Sequence, residues 1–227
     1  EDWGLAVGQP FRESDWSEAK NVLLESFRSD RYAAAKLQDT AVKVDAESST
    51  ARVEVTVDSG PEFKLGTLNV KGLQRYPLWL LDRYDPPKPG ELYSRNRLLD
   101  FQRTLQNSPY FAAVAVQIDA DPDKADAVPV EVNLTERKAR DLSFGAGYSS
   151  NTGFRGEIAY RDRDILSRAW DLRSAIRIEQ KRQLGYADIY LPPSEQVLHS
   201  FGILADRENV SGVRTVKQAI GMRRTSH

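Results

Sequence analysis

The sequence has no cysteine, one methionine and two histidines among its 227 residues. Without thiols, a disulfide framework, a thiolate zinc site and a cysteine nucleophile are all excluded, while the compartment stays open. His199 and His227 have no third histidine to join them, so neither an imidazole-rich metal site nor a Ser-His-Asp triad is expected. An excess of one charge is also missing. Lysine plus arginine number 32 against 33 acidic residues, a net charge of -1, so no global field draws the chain to nucleic acid, and no nucleic-acid partner is expected. No run reaches the roughly 18 to 20 apolar residues that a membrane helix needs. A transmembrane β-barrel is not excluded, because its strands need only about 9 to 11 residues with alternate positions apolar.

Several weak motifs are outweighed by simpler readings. Asp119, Asp121 and Asp123 imitate the opening of a calcium loop, but Lys124 stands where the loop needs glycine and Val130 where it needs glutamate, so a solvated hairpin tip is expected. Gly145-Ala-Gly147 begins a dinucleotide fingerprint yet has Ser150 at the third glycine and runs on as a strand. Glu157, Asp162 and Asp164 could be posed as acid-base carboxylates, and a hydrated turn or lumen explains them better. Asn133-Leu-Thr135 and Asn209-Val-Ser211 match the glycosylation acceptor. The expectation is a noncatalytic chain with no cofactor and no metal.

The pattern of apolar residues divides the chain into 1–60, 61–138 and 139–227. Trp16, Ala19, Leu23 and Phe27 share one helical face, with Ser14 or Asp15 as N-cap and Glu18 completing a capping box. Ala41 to Asp45 and Arg52 to Val57 then read as a half-buried strand pair. The same order recurs. Leu65 to Leu73 is a strand, Pro77 to Tyr84 a short helix opened by proline, and a second helix after Ser94 carries Leu98, Phe101, Gln102 and Leu105 on one face. A strand pair follows, with Tyr110, Ala112, Val114, Val116 and Ile118 on one side and Val128, Val130, Val132 and Leu134 facing inward from the return strand. Two copies of one α+β module, offset by about 77 residues, are expected, the first lacking its start. The charged run Glu136, Arg137, Lys138 and Arg140 reads as a solvated hinge.

Beyond it the texture is all strand. Trp170, Leu172, Ile176 and Ile178 alternate with Asp171, Arg173, Arg177 and Glu179, one oily face and one charged. Leu142 to Tyr148, Phe154 to Tyr160, Gln183 to Leu191, Leu198 to Arg207 and Val213 to Met222 repeat this more weakly, separated by turns at Ser149 to Gly153, Pro192-Pro193 and Asn209 to Gly212. Tyr148, Tyr160, Trp170, Tyr186 and Tyr190 fall near strand ends, as interfacial girdles require. A soluble β-sandwich is the competing reading. Six strands alone would leave two edges and an apolar face uncovered, so the barrel is expected to continue beyond His227. With Glu1 first and no leader after it, a mature or excised piece is expected.

The segment Lys88-Pro-Gly-Glu-Leu-Tyr-Ser94, with Leu98-Leu99-Asp-Phe-Gln102, Leu105, Ser108-Pro-Tyr-Phe111, Val114 and Val116, resembles the POTRA domain that precedes the barrel in TamA-type proteins. Asp58 to Gly66, leading to Val70-Lys-Gly-Leu73, is similar to the joint between the last two POTRA domains of that family, and Leu142 to Ser149 with Gly153 to Tyr160 to its first barrel hairpin. A departure is Arg31-Tyr32, where the family usually has Gly-Tyr. The superfamily also includes BamA. The resemblance implies α+β POTRA repeats (β-α-α-β-β) in 1–60 and 61–138, followed by the first strands of an antiparallel transmembrane β-barrel in 139–227. It implies an outer-membrane assembly factor with its POTRA arm in the periplasm, unfolded outer-membrane protein clients such as autotransporters, surrounding lipid, and the inner-membrane-anchored TamB as partner. Clients would pair with the second POTRA strand, through Phe111, Val114, Val116 and Ile118. The first barrel strand, with Ser143, Gly145 and Gly147, would part sideways from the last. A BamA-type insertase, a two-partner secretion pore and a soluble periplasmic binding module are the alternatives.

Overall fold

The computed structural model describes residues 3–150, 153–194, 197–210 and 212–226. Helix α1 (Glu13–Ser29) leads into strands β1 (Lys36–Asp45) and β2 (Thr50–Asp58). Then come β3 (Leu65–Lys71), α2 (Trp79–Asp82), α3 (Arg95–Asn107), β4 (Phe111–Ile118), a 3-10 turn at Pro122–Ala127 and β5 (Val128–Glu136). Six strands follow without an intervening helix: β6 (Arg140–Ser149), β7 (Gly153–Ile165), β8 (Trp170–Glu179), β9 (Arg182–Tyr190), β10 (Val197–Val210) and β11 (Val213–Ser226). His227, Ser211 and part of the expected turn at Ser149 to Gly153 lie outside the described residues.

The chain clusters into two compact units, and the division runs through α3, β4 and β5 themselves. One unit holds the chain up to Lys71 with Pro87–Arg103 and Ala115–Asn133. In it α1 buries Trp16 and Ala19, with Trp3 edge-on to Trp16 at 6.3 Å. The expected cap does not form. Extended Arg12 occupies the N-cap position without a side-chain hydrogen bond, and Ser14 lies inside the first turn with its hydroxyl on Asp15. Acidic Glu13 and Asp15 in that turn complement the helix dipole instead. The strand expected from Ala41 begins at Lys36, and β1 pairs antiparallel with β2 from Lys36↔Asp58 to Asp45↔Thr50. Arg31, where the family resemblance implies glycine, takes φ +62. Its N–H donates to the Tyr93 carbonyl at 2.9 Å and its carbonyl accepts from Phe63 at 2.8 Å, so the conformation is held at both ends.

Strands β3, β5 and β4 form a sheet in that order, β3 parallel to β5. Phe63, Leu65, Phe101, Val128, Val130 and Val132 are fully or almost fully buried. The short helix expected over Pro77 to Tyr84 is reduced to one turn, α2. In β4 the alternation slips by one residue. Phe111 is buried and Ala112 exposed, whereas Val114 and Val116 return to the core side.

The other unit holds Gly72–Pro86, Thr104–Val114 and the chain from Leu134 onward. Its sheet is an antiparallel meander in sequence order, β6 to β11, every strand paired with the next. The sheet is open, with β6 and β11 as its two edges.

Candidate functional site

Antiparallel partners point to the same side of a sheet, so the register assigns every side chain of the meander to a face. Phe144↔Ile158↔Ile176 runs across three strands, and Phe201↔Met222 and Ile203↔Ile220 continue the face across β10 and β11. Leu142, Ile178 and Val216 belong to it by the same alternation. These side chains are bare: Phe144 is 73% exposed, Ile176 62% and Ile220 90%. The opposite face carries most of the charges, and several of them are paired. Arg161 grips Asp171 through two bonds of 2.8 Å, Arg173 adds a third at 2.9 Å, and Asp171 is fully buried. Arg177 meets Glu157 at 2.6 Å, Arg182 chelates Asp206 at 2.8 and 2.9 Å, and Arg163 meets Asp141. A bare apolar face backed by a face of ion pairs is the reverse of what a water-soluble sheet shows to solvent.

The aromatic residues divide differently from the expectation. Tyr148 and Phe154, in ring contact at 5.0 Å, lie at one end of the apolar face, and Tyr160 and Trp170 at the other. Tyr186 and Tyr190 do not join them. Tyr186 is opposite Ala175 and Tyr190 opposite Asp171, which puts both on the charged face, where the Arg173 guanidinium sits 4.4 Å from the Tyr190 ring centroid.

At the end of the wall that carries Trp170, a buried joint replaces the expected hinge. Glu136 is half-buried with its side chain 9% exposed, and its carboxylate accepts the backbone N–H groups of Gln74 and Arg75 at 2.9 Å and of Tyr76 at 3.2 Å. Burial pushes this carboxyl up, but the three amides and Arg75 outweigh it and hold the group below the ordinary glutamate range. Gly72, at φ +92, turns the chain into this grip where a Cβ would strike the Leu134 carbonyl. Tyr76 lies edge-on to Tyr110 at 4.9 Å. The Tyr110 hydroxyl donates to the Ala169 carbonyl at 2.6 Å, and the Tyr76 hydroxyl to that of Arg163. Burial raises the Tyr110 phenol far above its usual range, so it remains a donor. Asp162 and Asp164 are not a hydrated acid-base pair. Asp162, 5% exposed, accepts from Arg140 and Tyr160, and Asp164 caps the N–H of Ala169 at 2.9 Å.

Among the proposed contact residues, Phe111, Val114 and Val116 are buried and Ile118 half-buried, so this strand can offer a partner only its backbone. β4 is an edge strand, but two of its polar groups are engaged: the Val116 N–H donates to Gln102 Oε1 at 2.9 Å and the Val114 carbonyl accepts from Gln106 Nε2 at 3.3 Å. Ser143, Gly145 and Gly147 line the charged face of β6, the other kind of edge. A Cβ on Gly145 would meet Glu157 at ordinary contact distance, and one on Gly147 would press at 2.8 Å only on the flexible Arg155 side chain, which can move aside. The Asp119 and Asp121 carboxylates are taken by Lys124 at 3.4 and 3.1 Å, and Asp121 caps the 3-10 turn. No group of three or more metal-ligating side chains gathers among the described residues.

Together these features define a fold class: POTRA modules running directly into the opening strands of an outer-membrane-type β-barrel. BamA from Haemophilus ducreyi lacking POTRA domains 1–3 superposes with a TM-score of 0.75 at 17% identity, over 96% of this chain and 42% of that one. CdiB from Acinetobacter baumannii superposes at 0.52 and 13% identity, over 94% of this chain and 41% of that one. The likeness is one of fold, and the chain spans about two fifths of the length of these structures. No family model matches the sequence.

Proposed function

We propose that this chain is the POTRA arm and first barrel strands of an outer-membrane assembly factor of the TamA kind. The barrel strands stand in the outer membrane, with the modules in the periplasm. The factor assists insertion or translocation of outer-membrane proteins such as autotransporters by strand pairing, without catalysis, and TamB is its inner-membrane-anchored partner. One observation carries this reading: the apolar face is bare across the meander while the charged face is ion-paired, an arrangement that suits hydrocarbon on one side and a watery lumen on the other. Strand β6 is an edge of the described sheet, and by parting from the barrel's last strand it would offer backbone groups to which an unfolded strand can add with little demand on its sequence.

The test is photo-crosslinking in cells from Ser143 on β6, in the full-length protein. Adducts with an autotransporter passing through assembly, lost when the client is fully folded, are expected. If Ser143 captures only lipid while an equivalent probe on the membrane's other assembly machinery captures the client, the proposal fails.

A further inference from the structure

Glutamine side chains rarely have a reason to reach a sheet edge in register, yet two do so on α3. Gln102 and Gln106 are one helical turn apart, about 6 Å along the axis. Val114 and Val116 are two residues apart on β4, about 6.6 Å. The spacings match, and so does the polarity. A backbone N–H needs an acceptor and a carbonyl needs a donor, which fixes Gln102 as presenting Oε1 to Val116 and Gln106 as presenting Nε2 to Val114. The Val116 N–H, committed to Gln102, is not spent on β5, the sheet neighbour of β4 among the described residues. Residues two apart direct their backbone groups to the same edge, so both contacts lie on the edge away from β5. A primary amide has the same donor and acceptor as a peptide group. The pair therefore stands where the backbone of an added strand would stand.

We infer that Gln102 and Gln106 form a latch, a side-chain imitation of a neighbouring strand that closes the β4 edge until an extended polypeptide displaces it. The inference rests on the reading of β4 as a client-pairing strand and adds its regulation. A lone exposed edge invites indiscriminate pairing, and covering it is the usual protection. Here the cover consists of two side-chain hydrogen bonds, which an incoming strand can replace with backbone bonds of the same kind. The edge is thereby shut to casual contacts and open to a segment long enough to exchange both bonds at once.

The two glutamines have opposite roles, so their acidic variants separate. Q102E keeps an acceptor for Val116, whereas Q106E sets a carboxylate against the Val114 carbonyl. The experiment uses the full chain and two readouts. The first is amide hydrogen exchange at Val116. The second is crosslinking from a photoreactive residue at exposed Gln117 to a synthetic peptide copying Val213–Ser226, an alternating strand of the outer-membrane type. For Q102A/Q106A, Val116 exchange rises about tenfold, the value of one lost hydrogen bond, and peptide capture rises with it. Q106E behaves like the double variant in capture, and Q102E like the parent. Unchanged Val116 exchange in the double variant overturns the latch whatever the peptide does. Faster exchange with equal capture by parent and variant overturns the gating while leaving the client reading intact. Faster exchange with no capture by either protein overturns the client reading, and the latch as its regulator falls with it.

Discussion

The Tyr110 hydroxyl donates to the Ala169 carbonyl at 2.6 Å, joining the start of β4 to the turn between β7 and β8. Both residues are buried, Ala169 at 1% exposure, so neither group has water to fall back on. The start of β4 is thus fastened to the β7–β8 turn by a bond that must be made. Y110F keeps the ring contacts and removes the donor, leaving a buried carbonyl unsatisfied, at a cost of about 1 to 3 kcal/mol. A lowered midpoint in denaturant unfolding of the detergent-solubilised protein is the expected result, and an unchanged midpoint would show that the bond contributes nothing.

Acid should loosen the same joint through Glu136. Its carboxyl is depressed in the folded state, so its contribution is complete above the ordinary glutamate value of about 4.3 and disappears as pH falls through the lowered native value. The amides of Gln74, Arg75 and Tyr76 should exchange slowly at neutral pH and lose protection in acid. E136Q retains one acceptor and should show weaker protection whose acid-sensitive part is gone. An E136Q protein with the parent's acid profile would contradict this account.

Asp171 is the buried centre of the charged face, held by Arg161 and Arg173. D171A removes the partner of two guanidinium groups that are themselves 30% and 44% exposed, so water takes over part of the pairing and the cost should be about 1.5 to 3 kcal/mol, the range for lost hydrogen bonds to charged groups. D171N, which still accepts hydrogen bonds, should cost less. The heat-stability of the full-length protein in detergent electrophoresis reads the order parent, D171N, D171A; equal stability of the two variants would deny Asp171 an electrostatic role.

Arg31 offers the opposite sign. It holds φ +62 with only long contacts from its guanidinium, 3.8 Å to Asp30 and 3.6 Å to Glu62, on an exposed surface. Glycine relieves a left-handed backbone by about 1 kcal/mol, partly offset by its greater freedom when unfolded. R31G should therefore match or exceed the parent in stability. A loss of more than about 1 kcal/mol would mean that the Arg31 side chain itself holds the turn.

Much of the meander is legible in sequence because the period-2 pattern of Trp170 to Glu179 assigns its own faces. That Tyr186 and Tyr190 leave the girdle is not legible in sequence, because β9 carries Gly185 and Ala187 on its apolar face, too little hydrophobicity to mark which parity is which. The joint was invisible for another reason. Glu136 binds residues about sixty positions earlier, and a carboxylate serving three backbone amides has the same sequence signature as a solvated one. The slip between Phe111 and Val114 likewise breaks the strand period locally, and α1 begins without a capping side chain, so neither could be read from spacing. Gln102 was visible on the apolar stripe of α3, but that it faces a strand edge depends on tertiary placement.

The central claim is that lipid covers the face containing Phe144, Ile176 and Ile220. These 227 residues contain no cysteine, so once any cysteine elsewhere in the full-length protein is replaced by serine, each single-cysteine variant carries one label site. Spin labels placed at Phe144, Ile176 and Ile220, and at Glu157, Arg177 and Lys217 on the opposite face, are read in the full-length protein in lipid bilayers against oxygen, which collects in hydrocarbon, and a water-soluble nickel chelate. The first three should respond to oxygen and be shielded from the chelate, and the second three the reverse. Chelate access to Phe144, Ile176 and Ile220 equal to that at Lys217 would contradict the account.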